Sequence, residues 1–330
     1  MKRKGVAMIN SLWVNIPELN EQLEQVQEII LRQIQPLKEP LSGLIRQQVT
    51  SGGKMIRPAC LLLFNQFGSY NNLTQKLHAA AAMEVLHLAT LIHDDVIDGS
   101  NLRRNVPTIQ VRLGDRNAIY AGDYLLTVYF ELISKVANNL NDVIFNALSI
   151  KKILQGELDQ LQINRNLQAS VKMYLREISG KTAQLIELSA QLGAILAQAD
   201  KHIVRKARFI GHNLGMAFQI QDDVLDYLGS TKMGKPQSED LKNGIYTLPL
   251  IYALNSSQEV KRFLELHPRL NNEQVQQVVQ MVIAAGGVQQ AQNLAYKYSS
   301  KALALIKQLP AIPARSYLQE LTQRLLKRQQ

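Results

Sequence analysis

The sequence predicts an all-α protein, and three observations carry that expectation. Gly (18) and Pro (10) are scarce for 330 residues, Leu, Ala, Gln, Ile and Lys dominate, and no alternating runs bounded by turns recur. Such a composition favours helix over sheet and turn. Apolar residues instead recur at three- and four-residue spacing through most of the chain. No linker or low-complexity segment interrupts it, so a single domain over 1–330 is expected, long enough to bury a sizeable core.

The formal net charge of +10 invites a nucleic-acid reading. The cations are scattered, nucleic-acid motifs are absent and aromatics are few, so no nucleic-acid partner is expected. The excess suits small anionic substrates and at most peripheral contact with an acidic membrane surface. The single cysteine, Cys60, lies in the run CLLLF. It reads as a small buried hydrophobe, and one cysteine excludes a disulfide framework. MKRKGVAMINSLWVN begins positive but has no sustained apolar core, and no stretch approaches the roughly 18 apolar residues of a membrane span. A reduced, soluble, cytoplasmic protein is the expectation.

Leu19, Leu23, Val26, Ile30, Ile34 and Leu37 predict an amphipathic helix from Pro17, a residue suited to a first helical turn, to about Leu37. A short helix is expected over Leu41 to Val49. TSGGKMIRP, Thr50 to Pro58, then offers two glycines that let the backbone approach a ligand. Its Lys54 and Arg57 project together if a helix begins there, and together they suit a diphosphate: a planar fork and a point charge. A long helix is predicted from Leu73 to Asp98, with His87 two turns before Asp94 on nearly the same face. Arg103 and Arg104 follow in a segment that Pro107 marks as a loop. Helix resumes at AGDYLL, where Asp123 is a cap or a supporting partner.

From Asn141 to Gln168, Ile144, Leu148, Ile153, Leu154, Leu158 and Leu161 predict a core helix, with Glu157 and Asp159 solvated. Lys181 and Thr182 sit at a glycine-marked bend inside an apolar helix, a costly place for them unless they hold an anion. A second acidic helix spans Gly211 to Tyr227, with Gln219 one turn before its first aspartates. Gly229 to Gly244 reads as a polar loop able to fold over a site, with Lys235 an anion contact and Asp240 a partner. Helix restarts after Thr247, and from Glu259 the chain is helical and increasingly basic.

The two acidic helices carry the chemistry. LATLIHDDVIDGSNLRR places Asp94 and Asp98 one helical turn apart on one face, with Asp95 about 100° round. Carboxylates at the end of an apolar run are expensive unless cations compensate them, so the pair forms a clip for a divalent metal. AFQIQDDVLDY repeats the pattern with Asp222, Asp223 and Asp226. Two such helices facing one cleft would surround a polyanion with four to six carboxylates, metal ions forming the bridge.

GGKMIRP, HDDVID, RR, GDYL, GKT, FQIQDDVLD, GKP and TLP, running from Gly52 to Pro249, resemble the trans-prenyl diphosphate synthases of medium and long chain, such as the hexaprenyl, heptaprenyl and octaprenyl enzymes. The resemblance implies the isoprenoid-synthase helix bundle around a deep cavity, isopentenyl diphosphate and an allylic diphosphate as substrates, and usually a homodimer. It implies magnesium held by Asp94, Asp98, Asp222 and Asp226. Lys54, Arg57, His87 and Arg104 match positions that hold isopentenyl diphosphate; Arg103, Lys181, Thr182, Gln219 and Lys235 match those that hold the allylic substrate. Lys181, Thr182 and Gln219 would be the catalytic contacts. Met55, Gly99, Asn105 and Ile245 depart from the commonest pattern and bear on affinity and product range.

Short-chain members of that family carry bulky aromatics where this chain has Ala89 and Thr90. With Leu86 and the alanines behind them, the helix from Ala89 back to Ala82 offers about 10 Å, room for roughly two more isoprene units. The expected product is an all-trans polyprenyl diphosphate of about six to eight units, a quinone side chain in size. A terpene cyclase is disfavoured because its second metal motif normally carries Asn, Ser and Glu. The stronger alternatives are the catalytic subunit of a two-component synthase, partnered by a small regulatory helical protein, and a short-chain farnesyl or geranylgeranyl synthase.

Overall fold

The structure, a computed structural model, describes residues 12–104, 106–228 and 239–326. Among these residues the chain forms sixteen α-helices and one two-stranded hairpin, in two compact units. No described helix is long and apolar enough to cross a membrane.

The first unit comprises residues 1–146 and 188–207. Its helices are α1 (Pro17–Gln33), α2 (Leu41–Thr50), α3 (Ile56–Phe64), α4 (Leu73–Ile97), α5 (Ile109–Leu113) and α6 (Asp115–Ser134). It also holds the start of α7 (Leu140–Ile163), the end of α9 (Gln184–Leu196) and the start of α10 (Lys201–Leu228). The spine is α4, packed against α1, α3 and α6. Ala79 to Ala82 and Ala89 are fully buried on it, and small side chains let three helices approach one axis. The Asn72 side chain accepts from Gln75 N at 3.0 Å, capping the first turn of α4. Close approach also explains Gly193 of α9, where a Cβ would lie 2.2 Å from the Leu61 carbonyl oxygen of α3.

The second unit comprises residues 147–187 and 208–330. It holds most of α7 and α10, α8 (Val171–Ile178), a π-helical turn (Ser179–Ala183), α11 (Glu239–Asn243), α12 (Leu248–Ser256), α13 (Gln258–Leu266), α14 (Asn272–Ala284), α15 (Gly287–Ile306) and α16 (Pro313–Leu326). One apolar cluster runs through it, from Tyr174 and Ile178 through Ile220, Val224 and Tyr227 to Leu250, Val278 and Ala291.

Three expectations need correction. The first helix stops at Gln33 rather than near Leu37. Two prolines, Pro36 and Pro40, follow within seven residues and cannot continue the hydrogen-bond ladder. The segment after the first aspartates forms a short antiparallel hairpin, β1 (Leu102–Arg103) with β2 (Val106–Pro107), in place of an open loop. The α7 stripe is not core. Ile153 is 2% exposed, but Ile144, Leu148, Leu154, Leu158 and Leu161 are 45–63% exposed. Periodicity reveals an apolar face, not what covers it, and no described residue covers this one.

Candidate active site

In the first unit the chain from Ser51 to Arg57 builds a cation cluster. Gly52 has φ +86°, and Met55, the N-cap of α3, has φ +49°, so the backbone turns sharply before the helix begins at Ile56. Lys54 therefore lies ahead of the helix and only Arg57 lies in its first turn, not the shared helical face expected. The buried Trp13 indole donates to the Lys54 carbonyl at 2.7 Å and pins this segment. Arg104, in the hairpin turn with φ +53°, donates to the Gln48 carbonyl at 3.4 Å. Gly53 makes room for it: a Cβ there would lie 2.8 Å from the guanidinium.

His87 on α4 faces this cluster. Burial, and then the charges of Arg57, Arg104 and Arg103, hold its imidazole well below its ordinary value, so it stands neutral at pH 7. One acid that the sequence reading passed over lies among these cations. Glu84, one turn before His87, is raised by burial and drawn back by Arg57 and Arg104. Burial likewise lowers Arg57, while Glu84 restores it. Neither Arg57 Nε nor Glu84 Oε2 has a hydrogen-bond partner among the described residues. A carboxylate amid AAAAMEVL was the available signal.

The first acidic motif ends α4. Asp94 is half-buried and Asp98 exposed, one turn apart as the spacing requires. Asp95 is 2% exposed and takes another role. It accepts from Arg103 Nε at 2.9 Å and from the Arg103 terminal nitrogen, and its backbone carbonyl accepts from Gln110. Burial raises the Asp95 carboxyl; the Arg103 pairing draws it down again. Arg103 is thus oriented by the middle aspartate.

In GDYL, a Cβ at Gly122 would lie 2.3 Å from the His93 ring. Asp123 stands 3.3 Å from that imidazole, and the Tyr124 hydroxyl donates to the Gln33 carbonyl at 3.0 Å.

In the second unit the π turn presents Lys181 and Thr182. Lys181 Nζ lies 2.8 Å from Glu157 and 2.8 Å from the Gln160 side-chain oxygen, both on α7. Arg176 pairs with Asp159 at 2.9 Å, so neither Glu157 nor Asp159 is merely solvated. Each residue meets a cation of α8 or the π turn because the helices touch: a Cβ at Gly156 would lie 2.2 Å from the Lys181 nitrogen.

Thr182 donates to the Gln219 side-chain oxygen at 2.7 Å, and Gln219 Nε2 donates to Asp223 at 2.8 Å. Asp222 is exposed, Asp226 half-buried and Asp223 4% exposed. Burial pushes the Glu177 carboxyl up to about 8; Lys181 opposes that, while Glu157, Asp240 and Asp159 reinforce it. Asp240 lies in α11 rather than a loop, and Lys235 falls outside the described residues.

Each acidic motif thus carries two carboxylates at i and i+4 that are at least partly exposed, Asp94 with Asp98 and Asp222 with Asp226. Among the described residues no group of three or more His, Cys, Asp or Glu is placed to hold a metal ion. Two carboxylate ligands per helix fit a hard divalent cation that keeps waters and takes its remaining oxygens from a bound phosphate.

The other predicted positions lie on α4: Leu86 and Ala89 are buried, while Thr90 is half-buried with its hydroxyl on the His87 carbonyl at 2.9 Å. Cys60 is buried, its thiol pushed up to about 12 by burial, as a structural cysteine should be.

The first unit thus holds the cation cluster and one acidic motif, and the second unit holds the other acidic motif. The polyprenyl synthetase family model matches residues 38–285, which include every site residue predicted from the sequence. Heptaprenyl diphosphate synthase component 2 of Geobacillus stearothermophilus is 36% identical over 304 residues, 92% of this chain and 94% of that protein. Geranylgeranyl pyrophosphate synthase of Lactobacillus brevis superposes with a TM-score of 0.92 at 40% identity, covering 96% of this chain and 99% of that one. A polyprenyl synthase of Caulobacter crescentus, complexed with calcium and isoprenyl diphosphate, superposes with a TM-score of 0.89 at 29% identity, covering 97% and 99%. The chain belongs to the polyprenyl synthetase family and is an all-α enzyme of the trans-prenyltransferase type.

Proposed function

We propose that this enzyme condenses an allylic diphosphate, such as farnesyl or geranylgeranyl diphosphate, with isopentenyl diphosphate in repeated magnesium-dependent steps. The product is an all-trans polyprenyl diphosphate of about six to eight isoprene units, estimated from the helix rise along α4. The observation that supports this reading is His87 on α4, beside Arg57, Arg103 and Arg104 and held neutral by burial and by their charges. Such a field favours an anion, and Lys54, Arg57, His87 and Arg104 would hold isopentenyl diphosphate.

Arg103, Lys181, Thr182, Gln219 and Lys235 would hold the allylic diphosphate, and Asp94, Asp98, Asp222 and Asp226 the metal ions. Magnesium, when bound, supplies positive charge against the charge that develops on the departing diphosphate. The chain's cations orient that diphosphate while the allylic bond to oxygen breaks. Apolar helix faces offer the carbocation no nucleophile except the isopentenyl double bond. The released diphosphate takes the final proton, so no side-chain base is needed. The enzyme works in the cytoplasm.

Ala89, Thr90 and Leu86 would set product length. Purified enzyme given farnesyl diphosphate, isopentenyl diphosphate and Mg²⁺ should yield six- to eight-unit chains on chromatography. Thr90→Phe, on a half-buried position, and Ala89→Tyr, at the risk of overpacking, should shorten them. An unchanged distribution in both would reject this ruler.

The exposed α7 face suits a second copy of the chain, a homodimer. A second reading draws on the match to a component 2: a small partner covers that face and enables turnover. Elongation by the purified chain alone supports the homodimer; silence rescued by a small helical partner supports the two-component enzyme.

A further inference from the structure

We propose that Tyr174 and Asp223 are positioning residues for the allylic half of the reaction, fixing which end of the Gln219 amide faces the bound diphosphate. The inference rests on the functional reading above and adds to it two buried residues with no assigned substrate contact. The Tyr174 hydroxyl, on α8, donates to Asp223 Oδ2 at 2.6 Å. Gln219 Nε2 donates to the other oxygen at 2.8 Å, and Thr182 donates to Gln219 Oε1 at 2.7 Å. One line of hydrogen bonds thus joins α8, α10 and the π turn. Tyr174 is 1% exposed and Asp223 4%, so water does not compete for these contacts.

The direction of the line follows from its first members. The Tyr174 hydroxyl gives its one proton to one Asp223 oxygen, and the Gln219 amide donates to the other. Gln219 must then turn its NH₂ to Asp223 and its carbonyl to Thr182. One of the two Gln219 amide protons remains unused by Asp223. With the amide locked, that proton is a donor of fixed placement for a diphosphate oxygen, and Thr182 can move its own proton from Gln219 to the same anion. Reversing the amide would present an oxygen to an oxyanion. Tyr174 therefore acts at a distance, through Asp223, on two side chains assigned to the allylic ligand.

Tyr174→Phe removes one oxygen from a buried site and leaves the ring. It should raise the KM for farnesyl diphosphate about tenfold, the factor a single hydrogen bond supplies, and leave the KM for isopentenyl diphosphate within about twofold. The same split is expected of Asp223→Asn, whose NH₂ would face that of Gln219 and turn the amide over. Asp223→Asn provides the reading if Tyr174→Phe fails to fold. A parallel titration uses inorganic pyrophosphate with Mg²⁺: its Kd should rise about tenfold in Tyr174→Phe. If both KM values move together, or neither moves, the positioning role is overturned. If the wild-type chain does not elongate at all, the functional reading fails, and the pyrophosphate titration decides this inference separately: an unchanged Kd overturns it.

Discussion

Lys181 Nζ lies 2.8 Å from a carboxylate oxygen of Glu157, and both side chains are about four-fifths covered. The cation assigned to the allylic diphosphate is therefore already paired. An incoming diphosphate must share or displace Glu157. A partly exposed ion pair is worth about 0–1 kcal/mol, so Glu157→Gln should lower the KM for farnesyl diphosphate by up to about fivefold. Steady-state kinetics at saturating isopentenyl diphosphate check this. A rise in KM would mean that Glu157 instead holds Lys181 in its binding position.

The Glu84 carboxylate acts on the buried Arg57 guanidinium, and it also attracts Arg104. Removing one partner of a buried charge pair typically costs about 3–5 kcal/mol. Glu84→Gln, which keeps the shape, should fall at or below the low end of that range in denaturant unfolding. It should also weaken isopentenyl diphosphate more than farnesyl diphosphate, because Arg57 loses its counterion. Equal weakening of both substrates would argue that Glu84 serves packing alone.

Glu177 carries a pH signature. Its carboxyl, 7% exposed, stands at about 8, raised above the ordinary value of 4.5 chiefly by burial. A group raised in the folded state binds its proton more tightly there than in the unfolded chain. Its contribution to stability is fully present below about 4.5 and is lost as pH rises through about 8. The wild-type melting temperature should therefore fall between about pH 5 and pH 9. Glu177→Gln, neutral throughout, should melt above the wild type near pH 9, with the gap narrowing towards pH 5. A gap independent of pH would show that Glu177 is ionised when folded.

Much of this architecture was legible in the residues themselves. The helix starting at Pro17, the long helix from Leu73 and the bend at Gly180 follow from apolar spacing, proline and glycine. The roles within the acidic motifs were only half legible. Asp94 with Asp98, and Asp222 with Asp226, fall on one face by spacing. The burial of the middle aspartates depends on partners eight and forty-nine positions away, Arg103 and Tyr174. Glu157 looked solvated for the same reason, since its partner Lys181 lies in a different helical segment. The α7 stripe was misassigned because periodicity marks an apolar face but not its cover.

The central proposal is that both acidic motifs serve the same ionisation step. A double-mutant cycle on kcat with Asp98→Asn and Asp222→Asn tests it most directly. If both residues hold metal ions on one leaving group, each single change should lower kcat by at least about a hundredfold and the pair by little more than the worse single. Fully multiplicative losses would show the two motifs working independently and would contradict the account.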